Sequence, residues 1–360
     1  MDSVPVQFVT TSDEYNIAYA VAGQGLPLVR VPSMFSHFSL QWSRGVLDRE
    51  FRAYSDHFQL VLVDHRGQGS STRGLPETTS LDDYVRDLEL LVDRLELQKF
   101  VLLGWSATAK IAVSYALRHP DRVIALLLNQ YGDLHRGTRT NLTEMAQSDW
   151  RLYLQTSGRV GWVWSDPETL VPILHESTTQ DDFLRMARAL MAQPGDEMLR
   201  QLRVPTLVMA TLEDSRPMGA DAEARRITAI IPDARLVLFD DLHGGFKPDV
   251  SGSRQAISVV QRFLRERCGI SEASMLAGSG LTRTASTDAR IPAIEMTPKA
   301  LSSRQLEVLQ LLAEGRTTHE ISERLVLSER TVERHIADVY NKIGARNRAE
   351  ATAYALRHFP

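Results

Sequence analysis

From about residue 6 to residue 263, short apolar runs alternate with stretches in which apolar residues recur every three or four positions. Strands are expected at residues 8–10, 17–21, 28–31, 60–64, 100–103, 123–128, 206–210 and 236–239. Most of these runs are apolar throughout rather than alternating. That is the pattern of strands covered on both faces of a mainly parallel sheet. Between them lie helical periods. Ser80, with Asp82 and Asp83 behind it, caps a helix whose stripe is Leu81, Val85, Leu88, Leu91, Val92 and Leu95. Strand–helix alternation over this length predicts an α/β fold with helices on both faces of the sheet. Residues 132–203 break the rhythm: they offer no strand, read as helical, and hold Trp150, Trp162 and Trp164.

The pattern then changes. Residues 269–298 are rich in Ala, Ser, Gly and Thr without a sustained period, and read as a linker; a flexible coil of about 30 residues spans on the order of 30 Å. Residues 299–360 form a small all-helical unit. One helix (302–313, with Leu306, Val308, Leu309 and Leu312) ends at Gly315, and a second starts at Thr317 or Thr318 and carries Ile321 and Leu325. A tight turn at residues 326–328 leads to a third, capped by Ser328, with Val332, Ile336, Val339, Tyr340 and Ile343 on its buried stripe. Residues 346–358 make a fourth. Two short helices joined by a tight turn, the second bearing basic residues, are a helix-turn-helix arrangement. The expected division is therefore 1–268, with a cap at about 132–203, a linker at 269–298, and 299–360.

Composition narrows the classes. The 360 residues are 43% hydrophobic and 24% charged, enough core for two domains and too little polarity for wholesale disorder. No apolar run reaches the roughly 18–20 residues that cross a bilayer, and the first ten residues lack the basic start and apolar centre of a secretory signal. A single cysteine, Cys268, allows no internal disulfide and no cysteine-built zinc site; neither metal nor cofactor is called for. A soluble, cytoplasmic protein is expected. From Thr297 onward there are 10 Lys and Arg against 8 Asp and Glu, whereas the preceding part has 31 against 37. A mildly basic tail behind an acidic body agrees with a nucleic-acid partner for the tail.

Gly104-Trp105-Ser106-Ala107-Thr108 follows an apolar strand and precedes a helix, the setting of a nucleophile elbow. Such a turn lifts the serine hydroxyl clear of the sheet and leaves the next backbone N–H at a helix start, where it can stabilise an oxyanion. The run Asp64-His65-Arg66-Gly67-Gln68-Gly69-Ser70-Ser71 makes a tight loop at another strand's carboxyl end, where open α/β sheets place their sites. Asp214 follows the strand at 206–210 and His243 the strand at 236–239. A serine needs an adjacent base, and that imidazole a carboxylate, in the order Ser106…Asp214…His243. Glu213 is the rival to Asp214, and Asp133 a further one; Asp240 and Asp241 read as solvated loop charges. His135, Arg136 and Arg139 read as a solvated face rather than an anion site.

With Pro27-Leu28-Val29, the residues 118–123 and Pro205-Thr206-Leu207-Val208, these segments make residues 1–267 resemble an α/β-hydrolase domain. The resemblance implies a triad of Ser106, Asp214 and His243, with oxyanion donors at Ala107 and at Ser33 or Met34. It makes residues 132–203 the cap over a pocket to which Trp105, Trp150, Trp162 and Trp164 contribute. Two positions depart from the family pattern: Thr108 stands at the elbow's final glycine, and Pro32-Ser33 replaces the customary His-Gly.

The segments Leu301-Ser302-Ser303-Arg304-Gln305-Leu306-Glu307-Val308-Leu309, Glu320-Ile321-Ser322-Glu323-Arg324-Leu325, Ser328-Glu329-Arg330-Thr331-Val332-Glu333-Arg334-His335-Ile336 and Lys342-Ile343-Gly344-Ala345-Arg346 strongly resemble the LuxR-type DNA-binding domain. The similarity runs over about 60 residues without a gap. It implies that the helix from Ser328 to Ile343 enters the major groove, while Ala349, Ala353 and Leu356 help pair two copies as a homodimer. Arg334 can reach guanine O6 and N7, and Glu333 can only accept from cytosine N4. Arg330, Thr331, His335, Lys342 and Arg346 are assigned to phosphates. Together the two resemblances imply a ligand-responsive regulator of transcription that binds double-stranded DNA. It would sense a small apolar molecule, of ester or lactone type, in a hydrolase-like pocket. The alternative is an active serine esterase or lactonase that hydrolyses its own signal.

Overall fold

A computed structural model describes residues 4–45, 48–131, 139–160, 167–191, 195–212, 220–239 and 250–277 of the chain. Towards the C-terminus it describes 303–313, 316, 318–325, 327–328, 331–332, 335–336, 339 and 351. The chain divides into two compact units, residues 1–284 and 285–360.

The first unit is organised by a sheet of β1 (Gln7–Thr10), β2 (Asn16–Ala22), β3 (Pro27–Val31), β4 (Gln59–Val63), β5 (Phe100–Trp105), β6 (Val123–Asn129), β7 (Thr206–Thr211) and β8 (Ala234–Phe239). Their spatial order is β1-β2-β4-β3-β5-β6-β7-β8. The pairs β1/β2 and β2/β4 are antiparallel and all later pairs are parallel. Every strand expected from the apolar runs is present, with its ends shifted by at most a few residues.

The uninterrupted apolar runs have a simple cause. Val29, Val31, Leu102, Leu126 and Leu128 face one layer of helices, α3 (Leu81–Arg94), α4 (Ala109–Arg118) and α10 (Ala220–Ile230). Their sequence neighbours Leu28, Leu60, Leu62, Val101, Leu103 and Leu127 face the other layer, chiefly α2 (Asp48–Ser55) and α11 (Val250–Cys268). Side chains alternate along a strand, so burial on both faces demands an apolar residue at each position. The start of α3 is as expected: the Asp83 carboxylate accepts the backbone N–H of Ser80 at 2.8 Å.

Sheet order decides where a site can sit. The chain leaves β3 by way of α1 (Phe38–Ser43) and α2 on one face, and leaves β5 by way of α4 on the other. Adjacent strands whose connections depart in opposite directions leave a crevice at their carboxyl ends. In this sheet the crevice lies between Val31 and Gly104, which are direct partners. Between β6 and β7 the described residues form α5 (Arg139–Ser148), α6 (Trp150–Val160), α7 (Pro167–Ser177), α8 (Gln180–Met191) and α9 (Gly195–Gln201), the helical segment expected as the cap.

One boundary differs from expectation. Residues beyond 268 were expected to be linker, yet Glu272–Ala277 forms α12 and Met275 is buried in the same core as α11. Met275 offers the apolar side chain that the surrounding Ala- and Ser-rich composition conceals. Its carbonyl also accepts the backbone N–H of Leu26 at 2.8 Å, just before β3.

In the second unit α13 (Ser303–Ala313) and α14 (Thr318–Leu325) pack through Val308, Leu311, Leu312 and Ile321. Val332 and Ile336, both helical, complete that core. Ser328 caps their helix: its hydroxyl oxygen accepts the Thr331 N–H at 3.2 Å. Among the described residues no helix is long and apolar enough to cross a membrane.

Candidate functional site

Ser106 stands where β5 turns into α4, at φ +53°. A non-glycine residue in this left-handed region carries strain of roughly 1–3 kcal/mol and persists only where its surroundings impose it. Here they do. Gly104 lets the first turn of α4 lie against the strand, since a Cβ there would fall 2.8 Å from the Cβ of Ala109. The chain must therefore rise steeply into the helix, and it does so in a short 3-10 turn, Ser106–Thr108. The Ser106 side chain is buried, and its Oγ has no hydrogen-bond partner among the described residues. Ala107, also buried, follows at the start of the helical turns, whose first N–H groups have no partner within the helix.

Ser33 and Met34, both half-buried, lie in the loop leaving the carboxyl end of β3, the strand beside β5. Thr108 joins the two loops directly. Its hydroxyl lies 2.5 Å from the carbonyl oxygen of Pro32 and 2.7 Å from that of Trp105. The residue standing where the hydrolase pattern has glycine thus fastens the loop that departs from the customary His-Gly. Sequence reasoning did not pair these two departures, because nothing in the linear pattern places residue 108 against residue 32.

The loop after β4 is a joint. Asp64 is fully buried and accepts from the Ser36 hydroxyl and from the backbone N–H groups of Phe38 and Ser70, each at 3.0 Å. Burial raises its carboxyl to about 6, and those three hydrogen bonds limit the rise. A Cβ on Gly69 would come 2.2 Å from the Asp64 carboxylate, so glycine is required there. His65 places Nε2 3.2 Å from the Pro32 carbonyl. Burial lowers its pKa to about 4, so the ring is neutral and Nε2–H donates. Gln68 accepts the Ser36 N–H at 3.2 Å and donates to the Met34 carbonyl. The cap is fastened to the same loop: Gly69 N–H donates to the Ser177 carbonyl at 2.7 Å, and Thr178 Oγ1 donates to the Gly67 carbonyl at 3.0 Å. The run expected at a site is therefore its scaffold, which sets the β3 loop and the cap.

Trp105, half-buried, has the Arg30 guanidinium 5.4 Å from its ring centroid. Arg30 is itself buried and paired with buried Glu50 at 2.8 Å. Trp150 is packed with Phe35, Tyr153 and Phe183 at centroid separations of 5.0–6.3 Å between the rings. This is the core of the cap, and Phe35 extends it onto the β3 loop. Asp214, His243, Trp162 and Trp164, with the rival acids Glu213 and Asp133, lie outside the described residues, as do Arg330, Glu333, Arg334, Lys342 and Arg346. Among the described groups, then, the structure brings together Ser106, Ala107 and the loop bearing Ser33 and Met34.

One buried polar residue escaped sequence reasoning. Asn129 closes the apolar run of β6, is fully buried, and has neither amide atom hydrogen-bonded among the described residues. The signal was an amide ending a run otherwise apolar from Val123. In the second unit Thr331 lies one turn inside the Ser328-capped helix and His335 one turn further on, both half-buried.

Residues 35–131 match the family described as alpha/beta hydrolase fold, and residues 299–355 match bacterial regulatory proteins of the LuxR family. RutD of Agrobacterium fabrum, a protein assigned as a carbamate hydrolase, is 28% identical over 211 residues, covering 53% of this chain and 77% of that protein. The transcriptional regulatory protein LiaR of Bacillus subtilis is 40% identical over 60 residues, which is 17% of this chain and 28% of the regulator. A hydrolase of known structure from Pseudomonas aeruginosa shares the fold of the first unit, with a TM-score of 0.59 at 22% identity over 72% of this chain and 98% of its own.

Proposed function

This chain carries an α/β-hydrolase domain and a C-terminal LuxR-type DNA-binding domain, and we propose that it is a transcription regulator whose hydrolase domain senses a small molecule. The observation that carries this reading is the left-handed, buried Ser106 at the crevice of a domain joined in one polypeptide to a DNA-binding domain. Occupancy beneath the cap shifts the orientation or pairing of the DNA-binding domains. Moving such an equilibrium from 1:99 to 99:1 needs about 5.5 kcal/mol of differential affinity, within reach of one buried small molecule. The ligand is apolar and carries a carbonyl of ester or lactone type; the likeness to RutD adds carbamates to that class.

A second reading is favoured by the strain at Ser106: an esterase or lactonase that consumes its signal, with Ser106 as nucleophile, His243 as base and Asp214 orienting it. The two are separated by one pair of measurements on the full chain. Genomic fragments retained by the protein are selected, and their release or capture is followed with candidate esters, lactones and carbamates present. Hydrolysis of short acyl esters is measured beside Ser106→Ala. Ligand-dependent DNA binding that persists in Ser106→Ala supports the sensor. Regulation lost together with turnover supports the second reading. A protein that retains no double-stranded DNA in dilute buffer overturns both as regulators.

The DNA contacts are tested separately. Arg334→Ala relaxes sequence preference at a cost of ~1–3 kcal/mol, whereas Lys342→Ala weakens binding evenly and lowers the salt slope by about one. Identical behaviour of the two variants on matched and mismatched duplexes would overturn that assignment.

A further inference from the structure

We propose that Asn129 forms, beside Ser106, a subsite for a carboxamide-type group, a carbonyl bearing an N–H, as in an amide, carbamate or ureide. The inference rests on reading the carboxyl end of the sheet as the ligand site.

Asn129 and Trp105 are direct partners on adjacent parallel strands, which run about 4.8 Å apart. Each is followed by a residue at φ +53°, Gln130 after Asn129 and Ser106 after Trp105. The two strands therefore end at one level in the same left-handed turn, and the Asn129 amide stands one strand away from the nucleophile. Backbone strain at two neighbouring strand ends is a feature of sites rather than of cores.

Among the described residues nothing accounts for an amide at this place. A buried polar group without a partner costs about 1–3 kcal/mol, and among the described residues Asn129 presents two such atoms, Oδ1 and Nδ2. Leucine would continue the apolar run of β6 without that penalty. The neighbouring polar groups are occupied elsewhere: Gln130 donates its backbone N–H to the Met209 carbonyl at 2.8 Å, and its Nε2 lies 3.5 Å from Thr211 Oγ1. Ser106 Oγ is likewise buried and unpartnered among the described residues.

An asparagine amide accepts at Oδ1 and donates at Nδ2, side by side. Its reciprocal partner offers a donor beside an acceptor, which is the pattern of another amide. An ester or lactone has acceptors only and would leave Oδ1 orphaned, so within the ligand class of the proposed function this subsite selects the carbamate or amide over the ester. Sites built to hydrogen-bond a donor discriminate strongly against analogues that lack it, because the buried partner is then left bare.

The test uses two unreactive probes, benzamide and acetophenone, which differ by NH2 against CH3 on the same carbonyl. Their affinities for the full chain are measured by ligand-observed NMR titration, in the parent protein and in Asn129→Leu. The parent is expected to favour benzamide by about tenfold or more, and Asn129→Leu to abolish the preference. Asn129→Ser, too short to offer the paired contacts, gives the same result if the leucine variant does not fold. Equal affinity for the two probes, no binding of benzamide at millimolar concentration, or a preference that survives both substitutions overturns the proposal. A water bridging the amide gives the first of these outcomes. None of them bears on ligand-dependent DNA binding, so the proposed function stands or falls by its own measurement.

Discussion

Asp64 and His65 are consecutive residues whose side chains hold opposite ends of one loop. Asp64 accepts from Ser36 and Phe38, and His65 donates to Pro32. The loop they hold contains Ser33 and Met34 and passes Thr108 at the foot of the elbow.

Their titrations oppose one another. The Asp64 carboxyl is raised to about 6, so the stability it supplies is complete below its unfolded value near 4 and is lost as pH rises through 6. His65 is depressed to about 4, so its contribution is complete above its unfolded value near 6.5 and is lost as pH falls through 4. Asp64→Asn is expected to uncover the histidine, giving stability that climbs between about pH 4 and 6.5 by up to ~1.4 kcal/mol per unit. His65→Gln uncovers the aspartate and gives the opposite slope from about pH 4 to 6. Urea midpoints at several pH values read both, and slopes of the same sign would refute the pairing.

Relief of the left-handed strain at Ser106 is measurable as stability. Ser106→Gly is expected to unfold at higher denaturant than Ser106→Ala by ~1 kcal/mol or more, because only glycine adopts this φ freely. If both variants denature together, the turn is not strained.

Thr108→Val keeps the shape and removes the hydroxyl that meets the Pro32 and Trp105 carbonyls. A loss of ~0.5–1.5 kcal/mol is expected from the lost hydroxyl contact, since the Pro32 carbonyl keeps its hydrogen bond from His65. Any ester hydrolysis should fall with it, since the β3 loop is no longer tied to the elbow. Calorimetric unfolding and a p-nitrophenyl acetate assay on the same preparation check both outcomes.

The buried Arg30–Glu50 pair gives an asymmetric result. Glu50→Gln leaves a buried guanidinium without its counter-charge and is expected to cost ~3–5 kcal/mol. Arg30→Met combined with Glu50→Leu should cost much less than the sum of its two single substitutions, which a double-mutant cycle in urea measures.

The strands were legible because burial on both faces makes most residues of β3 to β7 apolar, with polar residues such as Arg30 and Asn129 the exceptions, and that requirement is written in nearly consecutive letters. The elbow was legible because Gly104, Ser106 and the following helix lie within one short segment. The tie from Thr108 to Pro32 was not, since it spans 76 positions and depends on β3 lying beside β5. The run from Asp64 looked like a site because glycines and polar residues crowd a strand end. The side chains of Asp64, His65 and Gln68 face the Pro32–Phe38 stretch, whereas Arg66 turns away to Asp13 and Asp87, and only the folded register reveals that. Trp150 could be placed in the cap, but periodicity does not say whether a tryptophan lines a cavity or fills a core.

The hydrogen bond from Leu26 to Met275 has a topological consequence. It moors the segment departing towards the second unit at the rear tip of β3, while the front tip of that strand opens into the Pro32 loop. One rod of five residues, Pro27–Val31, thus carries the Pro32 loop at one end and the mooring at the other. Severing the polypeptide just ahead of Glu272 would strip away the tether and also uncap the base of the strand from which the Pro32 loop is hung.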